Sequence, residues 1–217
     1  KNFIKLKLDN FDLIIDCQSK LRNTIVLKRI PSKAFYSSTF NNLFCSNLEE
    51  EPEKFWSNLK TMDYNIDNIS KKYFDESERL LPNNNYIGFS ITQGNVYRKK
   101  EWPINKIIEL SKEFITKNKI PVFFIEKKYK ELKAEIKNAV PSALFPEHET
   151  ILNSPALVTC LGKRLDLAIT IDNGIMHMLS LSKVPIISLF GPTDPMKFAP
   201  KYSNSKILDS KVIYNSK

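Results

Sequence analysis

Three short segments hold the residue types best suited to binding an anion next to a sugar. The first is Asp172-Asn-Gly-Ile-Met-His177. Asn173-Gly174 suits a tight turn followed by a helix start, where free N–H groups and the positive end of the helix dipole favour an anion. Asp172 can accept hydrogen bonds from hydroxyls. His177 follows Asn173 and Gly174 by one helical turn and can face the same cleft. The second is Thr92-Gln-Gly-Asn-Val-Tyr-Arg-Lys-Lys-Glu-Trp102, with a hydroxyl, the glycine Gly94 and three adjacent cations, Arg98, Lys99 and Lys100. Glycine lets backbone N–H groups approach an anion closely, and a lysine adds point charge. The third is Phe190-Gly-Pro-Thr-Asp-Pro195, a rigid turn whose polar groups are Thr193 and Asp194. Each has a plainer reading: a capped helix with a half-buried histidine, a polar turn whose cations face water, and a bare turn.

Other chemistries lack their usual support. There is no G-x-G-x-x-G, G-x-x-x-x-G-K-[ST], C-x-x-C or H-E-x-x-H pattern, which weighs against dinucleotide redox chemistry, P-loop chemistry and zinc hydrolysis. Neither His148 nor Cys160 has a credible catalytic triad around it. Cys17, Cys45 and Cys160 are odd in number and widely spaced. That argues against a disulfide framework or a metal site and fits a reducing cytoplasm.

The elements that must hold these loops alternate. Tyr86 to Ile91 reads as a strand, and Pro103 opens a helix to about Asn118 with Ile107, Ile108, Leu110, Ser111 and Phe114 at helical period. Pro121 to Ile125 is a strand, Tyr129 to Ala139 a helix and Ala143 to Phe145 a short strand. Ala156 to Lys163 is helical. Leu167 to Ile171 is a strand, Ile175 to Ser182 a helix and Pro185 to Phe190 a strand. This alternation predicts an α/β fold: a Rossmann-like parallel sheet with helices on both faces. The three loops all follow strands, where open α/β sheets bind ligands.

Before residue 86 the pattern is weaker. Phe11 to Cys17 reads as a buried strand. Ser19 can cap a helix to about Lys28 with Leu21, Ile25 and Lys28 on one face, and Pro31 ends it. From Ser32 to Asn85 the sequence is irregular, and Pro82 to Asn85 is the best linker. The expected division is therefore 1–85, part of an N-terminal domain, and 86–217.

The composition is globular: 42% hydrophobic and 26% charged over 217 residues, which excludes disorder as the main state. No apolar run approaches the roughly 20 residues that span a bilayer, and no signal peptide opens the chain. The net charge of +9 is uneven, with +1 in residues 1–85 and +8 in residues 86–217. The second part would attract anions. Because 28 of the 33 basic residues are Lys and no nucleic-acid-binding motif is present, a nucleic-acid partner is not expected.

Taken together, Lys100-Glu-Trp-Pro103, Ile171-Asp-Asn-Gly-Ile-Met-His177 and Leu189-Phe-Gly-Pro-Thr-Asp-Pro195 resemble glycosyltransferase family 9, the ADP-heptose:lipopolysaccharide heptosyltransferases. Phe11 to Asp16 also resembles a strand late in that family's N-terminal domain. The resemblance implies a GT-B architecture of two Rossmann-like domains, with a nucleotide-sugar donor site in 86–217 as its C-terminal domain. It implies that Lys100 contacts the donor diphosphate, that Asn173 and Gly174 meet the phosphates through their turn, and that Asp172 and His177 lie beside the donor sugar. Thr92 resembles a hydroxyl residue of the phosphate loop, and Thr193 is a further candidate. Glu126 or Glu131 would hold the ribose. Asn173 departs from the commoner Asp-Thr-Gly form.

The implied reaction is inverting and metal-independent, with no cofactor. A sugar, heptose from an ADP-linked donor, passes to a lipopolysaccharide core acceptor in the cytoplasm, with peripheral contact at the inner membrane. The family's general base, an Asp near the first strand of the N-terminal domain, has no counterpart here. The chain therefore reads as a fragment expected to bind donor with little or no turnover. A noncatalytic nucleotide-sugar-binding module is the alternative.

Overall fold

The computed structural model describes residues 10–18, 20–61, 66–93 and 100–214. Ser19, Gly94, Arg98 and Lys99 fall outside them. The chain divides into two compact units, 1–64 and 65–217. The boundary expected after residue 85 falls within the second unit, because the helix at 71–80 packs against that unit's own core.

The first unit contains a strand–helix–strand motif: β1 (Phe11–Asp16), α1 (Leu21–Leu27) and β2 (Ser32–Ser37), with β1 and β2 paired in parallel. A second helix, α2, spans Pro52–Thr61. The expected apolar stripe on α1 is not buried: Leu21 and Ile25 are exposed, and Thr24 is the residue that turns inward. The cause is polar. Asp16, buried at the end of β1, accepts from Thr24 Oγ1 at 2.5 Å and from Ser37 Oγ at 3.0 Å. A buried carboxylate needs such donors, and the hydroxyls of α1 and β2 supply them. The sequence from Ser32 onward is therefore not irregular: β2 and α2 lie within it, as does α3 (Lys71–Leu80) of the second unit.

The second unit is built on one parallel sheet. Its strands are β3 (Tyr86–Ser90), β4 (Ile120–Phe124), β5 (Leu165–Ile171), β6 (Ile186–Phe190) and β7 (Ser205–Asp209), in the order β4-β3-β5-β6-β7. The intervening helices are α4 (Ile104–Thr116), α5 (Lys130–Ala139), α6 (Pro155–Gly162) and α7 (Gly174–Leu181). Short helices α8 (Pro195–Phe198) and α9 (Ser210–Ile213) flank β7. The strands alternate their buried side chains between two apolar layers, as the period of two requires. Tyr86, Val122 and Ala168 join Leu80, Leu157, Leu161 and Leu179 on one face. Ile87, Phe89, Phe123 and Ile169 join Ile107 and Ile136 on the other. Helices α3, α6 and α7 thus cover one face, and α4 and α5 the other.

Two details differ from the sequence reading. Ala143 to Phe145 is not a strand: Leu144 makes one isolated parallel bridge to Val122, and a 3-10 turn follows at Pro146–His148. The edge strand β7 has Ile207 and Leu208 exposed and a lysine, Lys206, within it, so no buried run marks it in the sequence.

Candidate functional site

In chain order, β3 is the first strand of the large sheet, with β4 on one side and β5 on the other. The order reverses there, and such switch points open a crevice at the carboxyl ends of the strands. Asn173 sits in that crevice, just after β5. Its Oδ1 accepts from Met176 N at 2.9 Å, capping α7. Its Nδ2 donates to Ser90 Oγ at 2.7 Å and to the Thr92 carbonyl at 2.9 Å, across to the end of β3. A threonine could cap α7 but has no amide to make the other two bonds, so Asn173 gives the departure from the commoner form a physical content.

Asp172, one residue earlier, is buried. Its Oδ2 accepts from Thr193 Oγ1 at 2.7 Å and from Lys100 Nζ. Lys100 Nζ also donates to the Asp172 carbonyl at 3.1 Å, and Lys100 N donates to Gln93 Oε1 at 3.0 Å. The two charged side chains are only 10% and 8% exposed, so they form a largely desolvated pair. An ammonium has three donors; two point at Asp172, and no acceptor for the third is found among the described residues. The expected separate roles for Lys100 at a diphosphate and Asp172 at a sugar therefore begin from one linked cluster.

Beside this cluster lies a cleft of about 540 Å³. Thr92, Asn173 and Gly174 line it after β3 and β5, and Glu126, Lys127 and Lys128 line it after β4. Glu147 joins them from the 3-10 turn, and Leu152, Leu157, Val158, Leu161, Ile175 and Met178 supply apolar wall. Two helix starts border it. Ser154 caps α6 by accepting from Ala156 N at 3.2 Å, and Asn173 caps α7. Gly174 opens α7 with nothing within 4 Å of where a Cβ would sit, which leaves room for a ligand against the backbone.

The predicted residues separate on this geometry. Thr92, Asn173, Gly174 and Glu126 line the cleft; Lys100, Asp172 and Thr193 form the adjoining cluster. Of the two ribose candidates, Glu126 reaches the cleft, where Lys128 Nζ lies 2.6 Å from its Oε2. Glu131 lies in the first turn of α5 and is not part of the lining. His177 is exposed on α7 and is likewise absent from the lining.

Glu147 was missed in the sequence. Burial, and then the nearby Glu126, push its carboxyl above the usual range, while Lys127 opposes them. Its setting in Pro146-Glu-His-Glu149 offers only an acidic pair flanking a histidine as a signal. The neighbouring His148 is pushed below its usual range by burial and then by Lys133. Burial raises the Cys160 thiol, which makes it a poor nucleophile. Among the described residues, no group of three His, Cys, Asp or Glu side chains is placed to hold a metal ion.

The profile of glycosyltransferase family 9 (heptosyltransferase) matches residues 54–217. A curated relative, lipooligosaccharide heptosyltransferase 2 of Haemophilus influenzae, is 29% identical over 143 residues, 63% of this chain and 40% of the relative. The chain thus spans about two fifths of that relative's length. A family 9 glycosyl transferase from Veillonella parvula superposes with a TM-score of 0.71 at 18% identity, covering 94% of this chain and 64% of that one. The E. coli heptosyltransferase WaaC with ADP gives 0.65 at 14% identity, covering 93% and 67%. These structural likenesses bear out the expected fold, a Rossmann-like parallel sheet flanked by helices together with part of a second α/β domain.

Proposed function

Because the chain belongs to glycosyltransferase family 9, the heptosyltransferase family, we propose that residues 65–217 seat a nucleotide-sugar donor for inverting glycosyl transfer. The observation that carries this reading is Asn173, which caps α7 and ties the ends of β5 and β3 at the mouth of the cleft. The diphosphate lies at Gly174 and Thr92, where the start of α7 favours negative charge. Lys100 turns its remaining donor to a phosphate oxygen. Glu126 holds the ribose hydroxyls. Asp172, His177 and Thr193 lie towards the sugar.

In the transfer step an acceptor hydroxyl attacks the anomeric carbon from the face opposite the diphosphate. The bond from that carbon to the diphosphate oxygen breaks, and the diphosphate leaves with the electron pair. Lys100 and the α7 dipole stabilise the developing charge, so no metal ion is needed. A carboxylate of the acceptor-binding half takes the hydroxyl proton. The donor is ADP-heptose and the acceptor a lipopolysaccharide core. We place this contact with a lipid-borne acceptor peripherally, at the cytoplasmic surface; no described helix is long and apolar enough to cross a membrane.

Calorimetric titration with ADP, UDP and GDP tests the donor site. Selective ADP binding that is lost in Lys100→Ala supports it. UDP or GDP selectivity keeps the site and replaces the sugar nucleotide. A folded chain that binds none of them defeats the reading.

A further inference from the structure

We infer that a second pocket, beside the donor cleft, seats a sugar ring of the acceptor glycan. The assignment to the acceptor rests on the donor-site reading above; the sugar chemistry of the pocket does not.

The pocket holds about 400 Å³, within the roughly 300–1,000 Å³ usual for small-molecule sites. It lies where β3 ends and α4 and α5 begin, and Thr92 is the one described lining residue it shares with the donor cleft. Trp102, Ile107, Tyr129 and Leu132 form its wall and belong to the apolar layer under α4 and α5.

Two polar groups stand among them. Gln93 is only 7% exposed. Lys100 N donates to its Oε1 at 3.0 Å, which fixes the orientation of the amide and leaves Nε2 in need of an acceptor. No described residue supplies one. Glu101, exposed, lines the same pocket and brings carboxylate oxygens.

This lining selects among ligands. A wholly apolar ligand would cover the Gln93 amide without giving it an acceptor, which costs binding. An anion is opposed by Glu101, and no described lysine or arginine lines the pocket. A pyranose ring satisfies both constraints. Its C–H faces are apolar and suit the rings of Trp102 and Tyr129. Its hydroxyls both donate and accept, so one can take the Gln93 N–H while a neighbour gives its proton to Glu101. The donor's own sugar belongs elsewhere: Asp172, Thr193 and Gly174, where the donor reading puts sugar and diphosphate, are absent from this lining. Yet Gln93 is one hydrogen bond from Lys100, which pairs with Asp172. A glycan held here therefore lies beside the point of transfer.

The chain has two tryptophans, Trp56 in the first unit and Trp102 here. An isotope-labelled whole chain therefore gives two indole N–H resonances, which Trp102→Phe assigns. The probes are the methyl α-glycosides of D-glucose, D-galactose and D-mannose, with open-chain mannitol as control. At least one glycoside should move the Trp102 resonance with saturation on the order of millimolar, leaving Trp56 in place, and should do so equally with ADP at saturation. Mannitol should move neither. Gln93→Glu keeps the oxygen that Lys100 N needs and removes the amide donor. It should weaken glycoside binding at least about tenfold, with an unchanged Trp56 resonance as the check on folding. No response to any glycoside, or an unaltered titration in Gln93→Glu, overturns the inference and leaves the donor reading standing. Competition between ADP and the glycosides overturns it by putting the donor in this pocket. If glycosides bind and ADP does not, the donor reading fails and the sugar pocket stands.

Discussion

Asn173 Nδ2 donates to Ser90 Oγ at 2.7 Å, joining the carboxyl ends of β5 and β3 across 83 residues of sequence. The same side chain caps α7 through Met176 N. One residue therefore fixes both the crevice and the helix start that faces it. Asn173→Ala should lower stability by about 2–3 kcal/mol, from a lost cap and two lost hydrogen bonds. Asn173→Thr retains the cap and should cost about half as much. Urea unfolding of both variants checks the order, and equal losses would mean that the contacts to β3 contribute nothing.

The Lys100–Asp172 pair predicts a separation of stability from binding. Lys100→Ala leaves a buried carboxylate with Thr193 as a remaining donor and should cost about 3–5 kcal/mol. Lys100→Ala with Asp172→Asn removes the stranded charge and should recover much of that loss, while nucleotide affinity stays low. Denaturant midpoints and calorimetry on the two variants read the two effects independently. Recovery of binding along with stability would show that Lys100 does not act on the ligand.

Two carboxyls give the second unit opposite responses to pH. The Arg79 side chain, first, and then Thr150 hold Glu76 down to about 2 from an ordinary 4.5. Its contribution is present above pH 4.5 and lost as pH falls towards 2. Glu76→Gln should therefore be less stable than the wild type at neutral pH, with the gap closing in acid. Glu147 is raised above 4.5, so its contribution is full below that value and lost as pH rises. Glu147→Gln should be more stable than the wild type at pH 7, with the gap closing below pH 4.5. Thermal melts across pH 3–8 would expose a wrong sign in either case.

Gly162 sets how closely α6 approaches the end of α7. A Cβ there would lie 2.5 Å from Ser182 Oγ and 3.3 Å from Leu179 Cδ2. Gly162→Ala should cost about 1–3 kcal/mol by overpacking. Because the starts of both helices border the cleft, nucleotide affinity should fall as well. Unchanged stability in this variant would mean that Ser182 simply rotates away.

Much of the second unit was legible because its signals are local. Buried strands such as Ile186–Phe190 read as short apolar runs, α4 showed a helical period, and Asn173-Gly174 marked a turn and helix start, although the residue that caps the helix is Asn173 itself. The first unit was less legible. Thr24 faces inward because of Asp16 and Ser37, partners 8 residues before it in sequence and 13 after it, and a search for apolar stripes passes over such a contact. Helix α3 was hidden by its charge: its buried residues are Ser77 and Leu80, amid acidic and basic neighbours.

By itself the sequence determined the strand–helix alternation, the turn and helix start at Asn173-Gly174 and the family, because each rests on short local segments of the chain. Tertiary structure decided which of those residues meet. Lys100 and Asp172 are 72 residues apart and pair because β3 and β5 are neighbours at the switch point, an order that no local period encodes. The same packing brought Glu126 rather than Glu131 to the cleft and placed Glu147 there. Whether a carboxyl faces water or a desolvated wall depends on what the other helices bury around it.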